Sequence, residues 1–337
     1  MLYLPAEWEK QEFVQLVFPH ENTDWYEYLD EAIDTFVTIA KTIAKYQKCL
    51  IIAKNLHSIK SLFPNKKNLI FVKIDSDDTW SRDFGGITVN NNGHLTVLDF
   101  KFNAWGKKFA YQLDNQITKQ LKLKGLLKSY NHKSIPFVLE GGAIESNGNG
   151  VILTTQKCMM EKNRNPLLTQ NAIENKLREY LGAKKVLWLQ NGFLEGDDTD
   201  SHIDTLARFV SEDTIVYQSC DDKNDLHYEA LYKMKEELAL FTQSNGKLFK
   251  CIALPWIEAK YDKEERLPAT YANFLIINDA VLVPTYKDKN DEKALNIFRK
   301  LFPKRDIIGI DCQTLIRQHG SLHCVTMQYP KVKKASL

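Results

Sequence analysis

The chain repeats one arrangement of elements, and that repeat limits the folds open to it. Two short apolar strands joined by a tight polar turn lead into a helical segment and then another apolar strand. The order recurs about every 50 to 70 residues. Gly86–Val89 and His94–Leu98 flank Asn90-Asn91-Asn92-Gly93, an Asn-Gly turn signal. Gly142–Glu145 and Val151–Thr154 flank Asn147-Gly148-Asn149-Gly150. Leu206–Val210 turns through Glu212-Asp213 into Thr214–Tyr217, and Asn273–Ile277 turns through Asn278-Asp279 into Ala280–Pro284. Helix-period segments follow at 112–124, 170–181, 224–241 and 290–301, each before a strand: Ile135–Leu139, Val186–Leu189, Phe249–Ala253 and Ile307–Ile310.

A fifth unit is assembled from both ends of the chain. Phe13–His20 reads as a strand. Asp24 is placed to cap an amphipathic helix with Tyr26, Leu29, Ile33, Phe36, Ala40 and Ile43 on one face, and Cys49–Ala53 and Leu69–Ile74 are further strands. The C-terminal strand Cys324–Gln328 completes this unit. Five strand-strand-helix-strand units closed into a ring leave few open sheet edges. The expected fold is therefore a five-bladed, pseudo-symmetric α/β propeller. With no Ser/Gly/Pro-rich linker, residues 1–337 read as a single catalytic domain of five repeats.

Composition excludes several classes. A formal net charge of +2 offers no bulk attraction to nucleic acid or to an anionic membrane. No stretch has the length of a membrane-spanning helix, and Met1–Glu9 lacks the basic start and apolar run of a signal peptide. Six cysteines are scattered without a Cys-x-x-Cys pair, so they read as reduced thiols of a cytoplasmic protein, with no structural metal. The sequence does not set the number of copies; a homo-oligomer is compatible with it.

The polar residues cluster where one unit's last strand meets the next hairpin. These places hold Trp80-Ser81-Arg82-Asp83, Leu139-Glu140-Gly141-Gly142, Asp197–Asp204, Thr270–Asn273 and His323-Cys324. In a ring, equivalent ends face the axis, so Asp83, Glu140, His202, Asp204 and Cys324 are expected to converge. Two carboxylates can grip a planar cation such as a guanidinium through paired charge-assisted hydrogen bonds. Cys324, at a loop-to-strand junction where neighbours can depress a thiol's pKa, is the expected nucleophile toward its central carbon. His202 is the expected acid and base, with Asp204 fixing its tautomer. Trp80 and Trp105 can wall a pocket, and Asn273 stands at the fourth junction. The plainer readings are a surface Arg82–Asp83 pair, a turn at Glu140, a structural His-x-Asp pair and tryptophans in the core.

These motifs, in this order, resemble the bacterial-type peptidylarginine deiminase family of the guanidino-group-modifying superfamily. The resemblance runs from Pro5-Ala6-Glu7-Trp8-Glu9 through Asn103-Ala104-Trp105-Gly106 and Leu267–Phe274 to His323–Gln328. It implies the pentein fold and hydrolysis of agmatine to N-carbamoylputrescine and ammonia, within putrescine synthesis, through a thiouronium on Cys324. No cofactor is implied. Asp83 and Glu140 would bind the guanidinium, Asp204 would add a carboxylate, and Asp198 would meet the distal amine. Family members usually carry Gly-Gly-Gly-Asn-Ile before the His-Cys pair; here the loop is His319-Gly320-Ser321-Leu322. The alternatives are a peptidylarginine or free-arginine deiminase, an amidinotransferase, and a guanidino-compound binding protein without turnover.

Overall fold

The computed structural model describes residues 1–331; the expected domain's last six residues lie outside that range. Among these residues there are five mixed sheets, each combining an antiparallel pair with a parallel crossover. In the second, Ile87–Asn91 pairs antiparallel with His94–Lys101, which runs parallel to Asn131–Val138. The third sets Ile144–Ser146 against Val151–Thr155 and Lys185–Leu189. The fourth joins Ala207–Ser211, Thr214–Gln218 and Lys250–Leu254, and the fifth joins Leu275–Ile276, Ala280–Thr285 and Asp306–Asp311.

The first sheet takes strands from both ends of the chain. Thr326–Pro330 lies antiparallel to Gln11–Val17, which runs parallel to Lys48–Ala53 and on to Leu69–Lys73. Leu2–Tyr3 adds a short edge to the second sheet, which the repeat did not announce. A small hairpin, Lys260–Asp262 with Glu265–Leu267, is also additional to the repeat.

The crossovers are the expected helices. Leu29–Ala44 buries Ala32, Phe36, Ile39, Ala40 and Ile43, the stripe that three- and four-residue spacing dictates. Gln170–Leu181 starts at Thr169, whose hydroxyl accepts from the Ala172 amide, and stops at Gly182 in the left-handed region. Ile117–Leu123, Tyr228–Leu240 and Asp291–Leu301 occupy the other three crossovers.

Asp24 does not cap the first of these helices. A 3-10 turn, Tyr26–Tyr28, intervenes, and the helix begins after Tyr28 without a side-chain cap. Burial decides this: Trp25 is fully enclosed and donates its indole N–H to Asp78 Oδ1 at 3.2 Å. That anchor pulls residues 24–28 toward the interior cavity, which Asp24 lines. The final strand begins at Thr326, with Cys324 in the turn before it. Among the described residues no helix is long and apolar enough to cross a membrane.

Candidate active site

Three of the five sheets are entered through one short helical turn: Ser81–Phe84, Gly141–Ala143 and Ile203–Leu206. The fifth and first are entered through turns at Tyr271-Ala272 and Leu322–Val325. These turns carry Asp83, Glu140, His202, Asp204, Asn273 and Cys324, all buried. Neighbouring turns are stitched together. The Arg82 amide donates to the Cys324 carbonyl at 3.1 Å, and the Gly142 amide donates to Asp83 Oδ1 at 2.9 Å. Asn273 Nδ2 donates to the Asp204 carbonyl at 3.3 Å, and the His323 amide donates to Asn273 Oδ1 at 2.8 Å.

A chamber of about 420 Å³ opens over these turns, lined by Asp83 and Cys324 among others. Trp80 and Trp105 form walls, and Asp24, Asp78, Asp197, Asp198 and Glu265 bring the carboxylates on its lining to six with Asp83. Trp105 also positions: its indole N–H donates to Asp83 Oδ2 at 3.0 Å. Trp80 donates to Asp78 Oδ2 at 3.0 Å, and its ring lies so close to Gly320 that a Cβ there would stand 2.2 Å from it. Asp197 turns its carboxylate back onto Thr199 and Ser201, whereas Asp198 has no such engagement with its own loop's side chains. Asn273 does not line the chamber. Its side-chain oxygen lies 3.4 Å from Cys324 Sγ, so it holds the cysteine from behind.

Several expectations need correction. The imidazole of His202 does not sit on Asp204. Its Nδ1 is 3.6 Å from Asp83 Oδ1 and its Nε2 is 3.9 Å from Glu140 Oε2. Asp204 instead contacts His323 Nδ1 at 2.7 Å, and its Oδ2 lies 4.0 Å from Cys324 Sγ. Glu140 is not free to offer both oxygens to a ligand, because Arg164 Nε donates to them at 2.9 and 3.0 Å. Arg82 is no surface partner of Asp83; it is buried and reaches Glu7 at 3.7 Å. The cysteine's neighbours do not favour the thiolate. Burial, with Asp204 and Asp83 close by, pushes the Cys324 thiol well above its usual range.

The other site groups are also displaced in pKa. Burial and then Glu140 raise Asp83 to about 7. Burial and then Asp83 push the Asp204 carboxyl well up. Burial, reinforced by Arg164, holds His202 well below its usual range, so the imidazole is neutral in the empty site. Asp198 is raised to about 6, by burial and then Asp197.

Sequence reasoning missed Arg164 and the role of His323. Arg164 binds Glu140, Asp200 at 2.7 Å and the Thr199 carbonyl at 2.9 Å, so it joins two turns. It lies in a polar loop, Asn163-Arg164-Asn165, that looks like surface. Glu140, Cys158 and His202 offer ligand atoms within 4.8 Å of one another. They fit a metal poorly: Arg164 occupies Glu140, and burial holds the Cys158 thiol in its protonated form.

The altered cysteine loop is tied down by side chains. His319 takes a left-handed backbone, φ 63°, and its Nδ1 donates to the Gly196 carbonyl at 2.8 Å. Ser321 shares a 2.7 Å hydrogen bond with the Tyr286 hydroxyl.

The fold class has wide relatives. A Pseudomonas aeruginosa protein designated DDAH, solved with citrulline, superposes with a TM-score of 0.51 at 10% identity, covering 95% of this chain and 100% of that one. This likeness identifies an α/β fold of the pentein type. The family is closer: the profile of Porphyromonas-type peptidyl-arginine deiminases matches residues 3–330, and the chain belongs to that family. A C. jejuni agmatine deiminase, solved as a cysteine-to-serine variant with substrate bound, is 44% identical with a TM-score of 0.94, covering 99% of this chain and 98% of that one. The agmatine deiminase of Enterococcus faecalis is 28% identical with a TM-score of 0.89, covering 98% and 96%.

Proposed function

We propose that this protein hydrolyses agmatine to N-carbamoylputrescine and ammonia. The observation that carries the reading is the chamber: a cysteine at its floor beneath six lining carboxylates, with His319 the sole basic side chain among its described lining residues. Agmatine brings a guanidinium at one end and an ammonium at the other, and both suit that wall. Arginine or a peptide C-terminus would bring a carboxylate into it and be repelled. The substrate-bound C. jejuni relative supports the same chemistry.

The residues take these roles. The guanidinium lies over Asp83, between Trp80 and Trp105, with its carbon toward Cys324. Asp198 receives the distal ammonium. Asp83, near 7, carries a proton in about half of the empty sites at neutral pH. The arriving cation expels that proton, and His202 Nδ1 at 3.6 Å takes it. The Cys324 thiolate then forms a C–S bond and pushes the C=N electron pair onto nitrogen. His202 protonates the departing nitrogen, ammonia leaves, and a thiouronium remains on Cys324. Water attacks that carbon, giving one proton to neutral His202, and the C–S bond breaks as the hydroxyl's remaining proton leaves to solvent, where ammonia takes it up, releasing the neutral product. Glu140, oriented by Arg164, is the second carboxylate toward this centre.

The five stitched turns support a ring of five blades around the site, built as one domain. The six free cysteines support a reducing, cytoplasmic setting. The test is ammonia release from agmatine, arginine and a C-terminal-arginine peptide, side by side, with Cys324→Ala as control. Release from agmatine alone, lost in the variant, is expected. A higher kcat/KM for arginine refutes the reading of the chamber.

A further inference from the structure

The thiol of Cys324 must lose a proton before it attacks, and its nearest carboxylate leads away from the chamber. Asp204 Oδ2 lies 4.0 Å from Sγ, and Asp204 Oδ1 is buried with no hydrogen-bond partner. Asp204 Oδ2 also lies 2.7 Å from His323 Nδ1, and His323 Nε2 lies 2.6 Å from Glu7 Oε2. All three groups are buried.

The proton count of this chain follows from geometry. A neutral imidazole owns one N–H, yet both ring nitrogens face a carboxylate at hydrogen-bond distance. Two ionised carboxylates would leave one of those contacts as acceptor against acceptor at 2.7 Å or less. The three groups therefore share two protons. The remaining charged groups fix where they sit. Arg208 donates to Glu7 Oε2 at 2.9 Å, and Arg82 approaches it at 3.7 Å, so Glu7 stays ionised against the cost of burial. Arg82 also reaches the His323 carbonyl, and Glu145 holds Arg208 from its other side. The resting state is a protonated Asp204 that donates to Nδ1, with Nε2–H donating to Glu7.

We propose that Asp204, His323 and Glu7 form the proton acceptor for Cys324, with His323 carrying the stored charge and Glu7 its counter-charge. This rests on Cys324 being the nucleophile. As the guanidinium arrives, the thiol, 4.0 Å from Asp204 Oδ2, gives its proton to the Asp204 carboxyl while the proton already on that carboxyl passes to His323 Nδ1. Cys324 becomes a thiolate, Asp204 stays neutral, and the ring becomes an imidazolium whose Nε2–H remains on Glu7. The triad then holds three protons, and the negative charge it gives up appears on sulfur. When the C–S bond breaks at the end of turnover, the thiolate takes its proton back. A cavity of about 60 Å³, lined by Glu7, His323 and Arg82, adjoins the far end of this chain.

Glu7→Gln tests the idea, since a glutamine amide can donate to Nε2 and satisfy a neutral ring with no counter-charge for an imidazolium. The assay is single-turnover formation of the Cys324 adduct with agmatine, by acid quench and mass spectrometry, in mixtures of H2O and D2O. The expected result is a cooperative melt like the parent's, KM for agmatine within about threefold, and adduct formation slowed about 10²-fold. The dependence on deuterium fraction should change from curved, with several protons in flight, to linear. Adduct formation within threefold of the parent overturns the proposal, as does a slowing with the curvature intact. Nitrogen-15 NMR of the histidine-labelled parent keeps the idea testable if Glu7→Gln does not fold. One ring flanked by two far-downfield protons is expected, and a single such proton overturns it. Cys324→Ser separates the two readings: turnover by that variant sinks the nucleophile, whereas a dead variant with a one-proton ring sinks the triad alone.

Discussion

Gly142 is the point where a single methyl group should do the most damage. A Cβ at this position would stand 2.6 Å from His202 Nδ1, 2.8 Å from Asp83 Oδ1 and 3.1 Å from Asp204 Oδ2. None of these groups can step aside cheaply. Trp105 and the Gly142 amide hold Asp83, His323 holds Asp204, and His202 is enclosed. Overpacking of a fixed interior typically costs about 1–3 kcal/mol. The larger effect falls on rate. Relieving the 2.6 and 2.8 Å contacts takes displacements of about half an ångström or more, and misplacement on the scale of 1 Å costs on the order of 10²-fold. Gly142→Ala should therefore lower kcat/KM for agmatine about 10²-fold, roughly 2.7 kcal/mol of transition-state stabilisation, while lowering Tm by a few degrees. The control is Gly309→Ala in the outer strand of the fifth sheet, where a Cβ would meet Thr285 Cγ2 at 3.0 Å. It should lose some Tm and keep its kcat. The assay is ammonia release against agmatine concentration, paired with thermal melts of both variants. Full activity in Gly142→Ala would refute the placement of these three side chains around one backbone atom.

Arg164→Met removes the cation from a buried carboxylate. Glu140 should become protonated, activity should collapse, and urea titration should show a loss of about 3–5 kcal/mol. In the empty enzyme Asp78 and Asp83 are raised to about 7 and Asp198 to about 6. Each folded pKa exceeds its unfolded value, so the folded state holds more protons between pH 4 and 7 and stability falls as pH rises through 7. Melts from pH 5 to 8 should show Tm decreasing, while KM for agmatine falls over the same range as the carboxylates ionise. Iodoacetamide should alkylate Cys324 more slowly at pH 7 than an ordinary exposed thiol, since its environment favours S–H. Rapid alkylation of the empty enzyme would contradict that electrostatic account.

The repeat was readable because its signals are local: Asn-Gly turns, period-2 strands and an apolar stripe on each crossover helix. The five candidate site positions were readable because they follow strands at equivalent places. What stayed hidden depends on residues far apart in the chain. His323 looked like the residue beside the candidate nucleophile, yet its ring bridges Asp204 and Glu7, 316 positions away from it. Arg208 sits in an apolar strand pattern and still forms the buried hub between Glu7 and Glu145. Arg164 came from a loop with no periodicity at all. The assignment of Asp204 to His202 failed for a related reason. Spacing of two residues suggested a pair, but His202, before the helical turn, sets its ring toward Asp83 and Glu140, while Asp204, within the turn, contacts His323.

The strand Thr326–Pro330 closes the first sheet against Gln11–Val17, and Cys324 stands in the turn just before it. Cys324 and the last edge of the first sheet thus follow Asp83, Glu140, His202 and Asp204 in the chain, so a ribosome makes those four before it reaches them. A chain stopped before Cys324 holds the other candidate groups and lacks the proposed nucleophile. On the proposed mechanism such fragments would be inert toward guanidino compounds, however well their remaining sheets had folded.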